Sequence, residues 1–276
     1  MIRSLLSSAG PLVLLFFLLG CTTPALNGIT QVATIDALLA GVYDGHMSLE
    51  TLRRYGDFGI GTFEGLDGEM ILLEGTFYKV RVDGKVYQPT LSERTPFACV
   101  TRFVPDITEI IQTSTDMKSL EERIDRRIPQ QNRFCAFTLH GYFPHVQARS
   151  VPSQTKPYPP LVEVTKKQTV FTLLQVHGTL IGFRSPPFVE GVNVPGYHVH
   201  FIADDHSGGG HVLDFEMTQG TLEADTVQQW LTVYLPTGSD SFEAADLTRD
   251  HTVELEKVEK SVSQGISDNQ DVSKDR

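Results

Sequence analysis

Cysteine is scarce in this chain: 276 residues hold three, at positions 21, 99 and 135. No CxxC spacing occurs, which excludes a zinc knuckle. In an oxidising compartment Cys99 and Cys135 could pair. Their apolar settings, Phe97-Ala98-Cys99-Val100 and Phe134-Cys135-Ala136-Phe137, favour two small buried thiols instead. Basic residues are also short, 23 Lys and Arg against 34 Asp and Glu, for a net charge of -11. An acidic chain repels polyphosphate, so nucleic acid is not an expected partner. An anionic substrate would need local positive charge from a metal or an arginine. Apolar residues make up 40% of the chain, enough for a core and too few for a polytopic membrane protein. No HExxH helix is present, which counts against one large class of zinc hydrolase. No internal repeat exceeds two short hairpins.

One apolar run stands out, over residues 11–19, after the basic Arg3. It is too short to span a membrane and closes on Leu18-Leu19-Gly20-Cys21, so residues 1–20 read as a signal peptide. Leu-Leu-Gly-Cys resembles a bacterial lipobox, which makes Cys21 the expected lipid attachment site. An ordinary secretory signal with an incidental cysteine is the bland alternative. The expected location is the outer side of a membrane, periplasmic or cell-surface, held only by the N-terminal lipid. Residues 21–30 read as a tether.

Helical spacing follows at 35–43, and Ser48 is a plausible N-cap for a helix to about residue 55. Phe58, Ile60 and Thr62 alternate, Asp67-Gly68 turns the chain, and Met70, Leu72 and Leu73 return it. The pattern repeats with Tyr78, Val80 and Val82, then Asp83-Gly84, then Val86. Strands are expected at 97–103 and 134–142, and a helix over 119–128 that Pro129 ends. Residues 31–150 thus read as an α+β domain. Pro152, Pro157, Pro159 and Pro160 mark a crossover or boundary. Strands are then expected at 168–175, 178–184, 197–203, 211–217, 220–224 and 231–235, with Asp225 capping a short helical stretch to Trp230. Residues 151–260 read as a second, β-rich domain, a small sheet or barrel that carries a metal site. The polar residues 261–276 read as a disordered tail. The fold class expected is α/β in the α+β sense: two domains, antiparallel or mixed sheet, few short helices.

Chemistry concentrates in Tyr197-His198-Val199-His200-Phe201, followed by Asp205-His206-Ser207 and Gly208-Gly209-Gly210-His211. Residues two apart on a strand share a face, so His198 and His200 stand side by side. The glycine run turns the chain back, and a hairpin can bring His211 to the same face. Three neutral imidazoles are the ligand set of a catalytic zinc with an open position, though imidazole alone also accepts other divalent metals. His206, at the loop tip, reads as solvated.

Six blocks carry a family resemblance: Gly56-Asp57-Phe58-Gly59-Ile60-Gly61-Thr62-Phe63, Leu66-Asp67-Gly68-Glu69, Thr95-Pro96-Phe97-Ala98, Arg149-Ser150-Val151-Pro152, Gly182-Phe183-Arg184-Ser185-Pro186, and Gly196-Tyr197-His198-Val199-His200-Phe201. In this order, over about residues 30 to 260, the chain resembles alpha-acetolactate decarboxylase. The resemblance implies a zinc held by His198, His200 and His211, with Thr62, Glu69, Arg149 and a C-terminal glutamate around it. The matching glutamate is Glu259, in Val258-Glu259; Glu254 and Glu256 stay open. The leader and Cys21 lie outside the resemblance.

The implied reaction converts 2-acetolactate to acetoin and CO2. Loss of CO2 leaves two electrons on carbon, and a zinc acting as Lewis acid would stabilise the resulting enediolate. That replaces the electron sink of thiamine or pyridoxal, for which no motif is evident. Arg149 could hold the carboxylate in a bidentate pair, with Arg184 as the alternative. A protonated glutamate could return the proton. Rival readings are a zinc hydrolase and a non-catalytic metal- or ligand-binding lipoprotein. The small-molecule substrate is the expected partner, and a homodimer stays open.

Overall fold

Period-two alternation becomes sheet on both sides of the proline-rich stretch. A computed structural model describes residues 28–226 and 229–260. The leader, Cys21 and residues 261–276 lie outside the described residues.

Two sheets dominate. The first has seven strands in the order Trp230–Tyr234, Gly28–Val32, Ala98–Thr101, Phe58–Thr62, Glu69–Leu73, Thr76–Val80 and Val86–Tyr87. Gly28–Val32 and Trp230–Tyr234 run parallel; the other pairs are antiparallel. The second sheet runs Thr169–Ser185, Gly196–Ala203, Gly209–Glu216, Cys135–Ser150, Gln219–Asp225 and Ile107–Ile111. Cys135–Ser150 also pairs with Thr169–Ser185 along its length, so four of these strands close into a small barrel. The mixed, mainly antiparallel α+β class is thus the one expected.

Alternation assigns the faces. Val199 and Phe201 join Phe137, Phe143, Val146 and Phe215 in one core cluster. Ile202, one residue on from Phe201, turns to the first sheet. There Ile29, Phe58, Ile60 and Ile71 of the first sheet pack with Ile181, Phe183 and Ile202 of the second. Beyond one end of this interface lie three short helices, Ile35–Leu39, Leu161–Thr165 and Thr252–Lys260, which contribute to a further apolar cluster.

Local signals account for much of this. Ser48 caps Leu49–Leu52 by accepting from the Thr51 N–H at 3.3 Å. Asp116 caps Met117–Arg127 through Ser119 N–H at 2.8 Å. Gly68 sits at φ +112, and a Cβ there would lie 2.8 Å from the Val80 carbonyl oxygen, so the Asp67-Gly68 turn requires glycine.

Several expectations need correction. Residues 28–30, read as tether, form strand; the fully buried Gln31, bonded to the Ala33 carbonyl at 2.8 Å, had hidden the alternation. Helix 35–43 stops at Leu39, two residues before Gly41 at φ +94. The strands read at 168–175 and 178–184 are one strand, Thr169–Ser185, with Gln175 at φ +55 inside it. Asp225 is the last residue of a strand, and its carboxylate accepts from Val104 N–H at 2.9 Å; the helical stretch expected after it includes residues 227–228, which lie outside the described residues. The boundary read at residue 150 does not divide the sheets. Cys135–Ser150 is a barrel strand, and Trp230–Tyr234 returns to the first sheet. The prolines mark a crossover between layers that share a core. Cys99 and Cys135 are buried free thiols, as expected.

Candidate active site and metal centre

The register of the second sheet assembles the histidines. His200 pairs with His211, and His211 pairs with Arg149 on the next strand. Side chains at paired positions share a face, so Arg149, His211 and His200 form one row. His198 joins it from two residues along. Ring centroids of the three histidines lie 5.1, 5.1 and 5.5 Å apart. Gly210 makes the close approach possible: its φ is +134, and a Cβ would stand 2.6 Å from the Arg149 carbonyl oxygen.

One ring atom of each histidine lies within 4.8 Å of the others. His200 is fixed by its Nδ1–H, which donates to the Met70 carbonyl at 2.9 Å. Its Nε2 therefore carries a lone pair, and that atom is buried without a hydrogen-bond partner. Burial, then the Arg149 charge, pushes His198 down to about 3. His200 and His211 fall well below the usual imidazole range, chiefly through burial. All three are neutral at physiological pH, as metal ligands must be. A buried, unpartnered lone pair beside two further neutral imidazoles fits a divalent transition-metal ion.

The first sheet adds two groups on paired positions, Thr62 and Glu69. Glu69 Oε2 lies 3.7 Å from His200 Nε2, and Oε1 lies 3.5 Å from Arg149 Nη1. Burial and the neighbouring Glu259 raise the Glu69 carboxyl to about 7 against the pull of Arg149. Thr62 Oγ1 donates to the Gly68 carbonyl at 2.9 Å, which leaves its oxygen free only to accept.

Helix Thr252–Lys260 supplies the last group. Leu255 and Val258 pack with Ile35, Leu38 and Leu161, which brings Glu259 over the histidines. Its Oε2 lies 3.7 Å from His211 Nε2 and 3.9 Å from His198 Nε2. Burial raises Glu259 to about 7, again against Arg149. Glu254 instead pairs with His251, and Glu256 is exposed, so Glu259 is the one that reaches the site. Arg149 donates from Nη2 to the Val258 carbonyl at 3.1 Å, while its buried Nε has no partner.

Arg184, the alternative clamp, is committed elsewhere. It binds Asp125 at 2.9 Å and the Ile128 carbonyl at 2.8 Å, fixing the end of Met117–Arg127. His206 is exposed in its turn, at φ +56. Apolar walls complete the site: Leu38, Leu66, Phe97, Val151 and Leu161 line a cavity of about 50 Å³ with the polar groups. The sequence does not single these out as site residues, although Leu66, Phe97 and Val151 lie in the blocks that carry the resemblance. A larger cleft of about 550 Å³ reaches His211 and Glu259 past Met117 and Tyr197.

Residues 29–249 match the family model described as alpha-acetolactate decarboxylase. An alpha-acetolactate decarboxylase of Methanosarcina mazei is 48% identical over 230 residues, 83% of this chain and 79% of that protein. One of Bacillus subtilis is 40% identical over 235 residues, covering 84% and 91% respectively. The crystal structure of alpha-acetolactate decarboxylase from Bacillus subtilis strain 168 superposes with a TM-score of 0.81 at 38% identity. It covers 85% of this chain and 100% of that one. On sequence and fold together, this chain belongs to the alpha-acetolactate decarboxylase family.

Proposed function

We propose that the protein is a zinc-dependent carboxy-lyase that converts 2-acetolactate to acetoin and CO2. The observation that carries the reading is a buried face where His198, His200 and His211 meet one arginine and two carboxyls of raised pKa. The three imidazoles would hold the zinc, which when bound supplies Lewis-acid stabilisation for the enediolate charge left by CO2 loss. Arg149 holds the substrate carboxylate, since its buried Nε has no hydrogen-bond partner in the protein. The C–C bond to that carboxylate then breaks, CO2 departs without charge, and the bonding pair passes toward the ketone. Thr62 can accept a hydrogen bond from the substrate hydroxyl, since its own proton is committed to Gly68. Glu69 and Glu259 are poised near neutrality to return a proton to carbon. The apolar wall of Leu38, Phe97 and Leu161 limits water around the reacting carbon.

Purified protein incubated with racemic 2-acetolactate should release CO2 and acetoin, and a chelator should stop it until zinc is restored. Turnover that is indifferent to exhaustive chelation would remove zinc from the reading; absence of acetoin would remove the reaction. The leader and Cys21 support an exported, lipid-anchored enzyme. Cys21→Ser should then free the protein from the membrane fraction or block its maturation. An unmodified, fully soluble wild-type protein would refute the anchor.

A further inference from the structure

A second cluster of metal-type ligands lies outside the site described above. His251 precedes helix Thr252–Lys260 and is 5% exposed. Its Nδ1 lies 2.5 Å from Glu254 Oε2, so the ring proton sits on Nδ1 and the carboxylate accepts it. The other ring nitrogen, Nε2, is buried with no hydrogen-bond partner. A carboxylate behind one ring nitrogen and no partner on the other is the arrangement that orients a histidine ligand.

His251 lines a cleft of about 300 Å³ together with Asp36, Glu190 and Asp250. These come from three parts of the chain: the helix Ile35–Leu39, the turn after Val189, and the segment before the last helix. Among the described residues none of the three carboxylates is ion-paired with lysine or arginine; Arg249 reaches only Glu254, at 3.7 Å. Burial, with repulsion from Asp250, Glu190 and Glu254, raises Asp36 against the pull of His251. The Thr252 hydroxyl touches both Glu190 and Asp250 and has one proton for the two. The cleft thus has a fixed imidazole in its wall and excess negative charge around it.

We propose that His251, Asp36 and Glu190 form a second binding site for a divalent transition-metal cation. The imidazole donor selects zinc-like ions over calcium or magnesium, which prefer all-oxygen sites. Unlike the three histidines of the first centre, these ligands are not already gathered at ligand spacing. Glu190 and Asp250 are exposed at the rim and can turn inward, whereas the ring is held. The second ion is therefore the weaker-held of the two. Bound there, it would tie the start of the helix that carries Glu259 to the helix Ile35–Leu39.

The test is zinc titration of the metal-free full chain, followed by calorimetry and by elemental analysis. Wild type should bind one zinc per chain more than His251→Ala, whatever the first centre binds. His198→Ala should keep the weaker event, which separates this site from the proposed catalytic one. Glu254→Gln leaves the packed ring in place and should weaken the event by about 10- to 100-fold; it serves if His251→Ala fails to fold. Equal zinc numbers and affinities in wild type and the folded variants would overturn the proposal.

Discussion

Two buried carboxyls held near pKa 7 face three neutral imidazoles. Their partners separate their roles. Glu69 lies against Arg149 and His200, and neither carboxylate hydrogen-bonds a ring nitrogen as an orienting group would. Glu69→Gln keeps the shape and removes the proton. We expect it to retain zinc and lose roughly 100- to 10,000-fold in maximal rate, the range for a general acid-base group. Arg149→Lys keeps the charge and loses the planar fork, so KM should rise and the rate fall. Zinc content and steady-state kinetics check both. Loss of zinc from either variant would place that residue among the metal's supports. At this scale the histidines were legible because strand periodicity and a glycine turn fix their face. Glu259 was named through the resemblance alone, since Glu254, Glu256 and Glu259 share one short helical segment. Only the docking of Leu255 and Val258 shows which glutamate points inward.

That docking makes helix Thr252–Lys260 the element on which the site depends. It lies beyond the matched residues 29–249 and is held by one apolar face. An isolated helix of this length is unstable in water, so packing must supply its order. Leu255 is 8% exposed and packs in the apolar cluster with Ile35, Leu38 and Leu161. Truncating a buried leucine to alanine costs about 2–5 kcal/mol when nothing refills the space. Because the helix can detach without opening either sheet, we expect Leu255→Ala to act locally. Zinc should stay, turnover should fall at least tenfold, and protease should clip the C-terminal segment faster. Unchanged turnover and protease resistance would show that Glu259 does not need this docking. Hairpins and caps were readable from Asp67-Gly68 and Ser48 because each is a local rule satisfied within a few residues. The long barrel strands were not. Gln175 at φ +55 breaks the alternation inside Thr169–Ser185, and only pairing with Cys135–Ser150 shows that the strand continues.

For the molecule as a whole, the decisive feature is that chain order and packing order differ. Residues 28–32 and 230–234 pair side by side, closing the first sheet with its two most distant segments. Residues between them form the barrel, and Ile29, Phe58 and Ile71 share a core with Ile181, Phe183 and Ile202. Composition along the chain suggested two domains because the prolines at 152–160 interrupt the pattern; long-range pairing is invisible to such a reading. Shared burial couples the two sheets, so heat should unfold them in one transition. The proposed zinc ligands all sit on the barrel face, and the ion binds the folded state alone. At a free zinc level about 100 times its dissociation constant, it would add about 2.7 kcal/mol. For a chain of this size that corresponds to roughly 5–10 °C in Tm. Calorimetry with and without chelator should therefore show one peak that moves by that amount and does not split. Two separate peaks in the metal-free protein would mean that the sheets fold independently and that the shared core is weaker than its burial indicates. A single peak that does not move would mean that the histidine face holds no ion in the folded state.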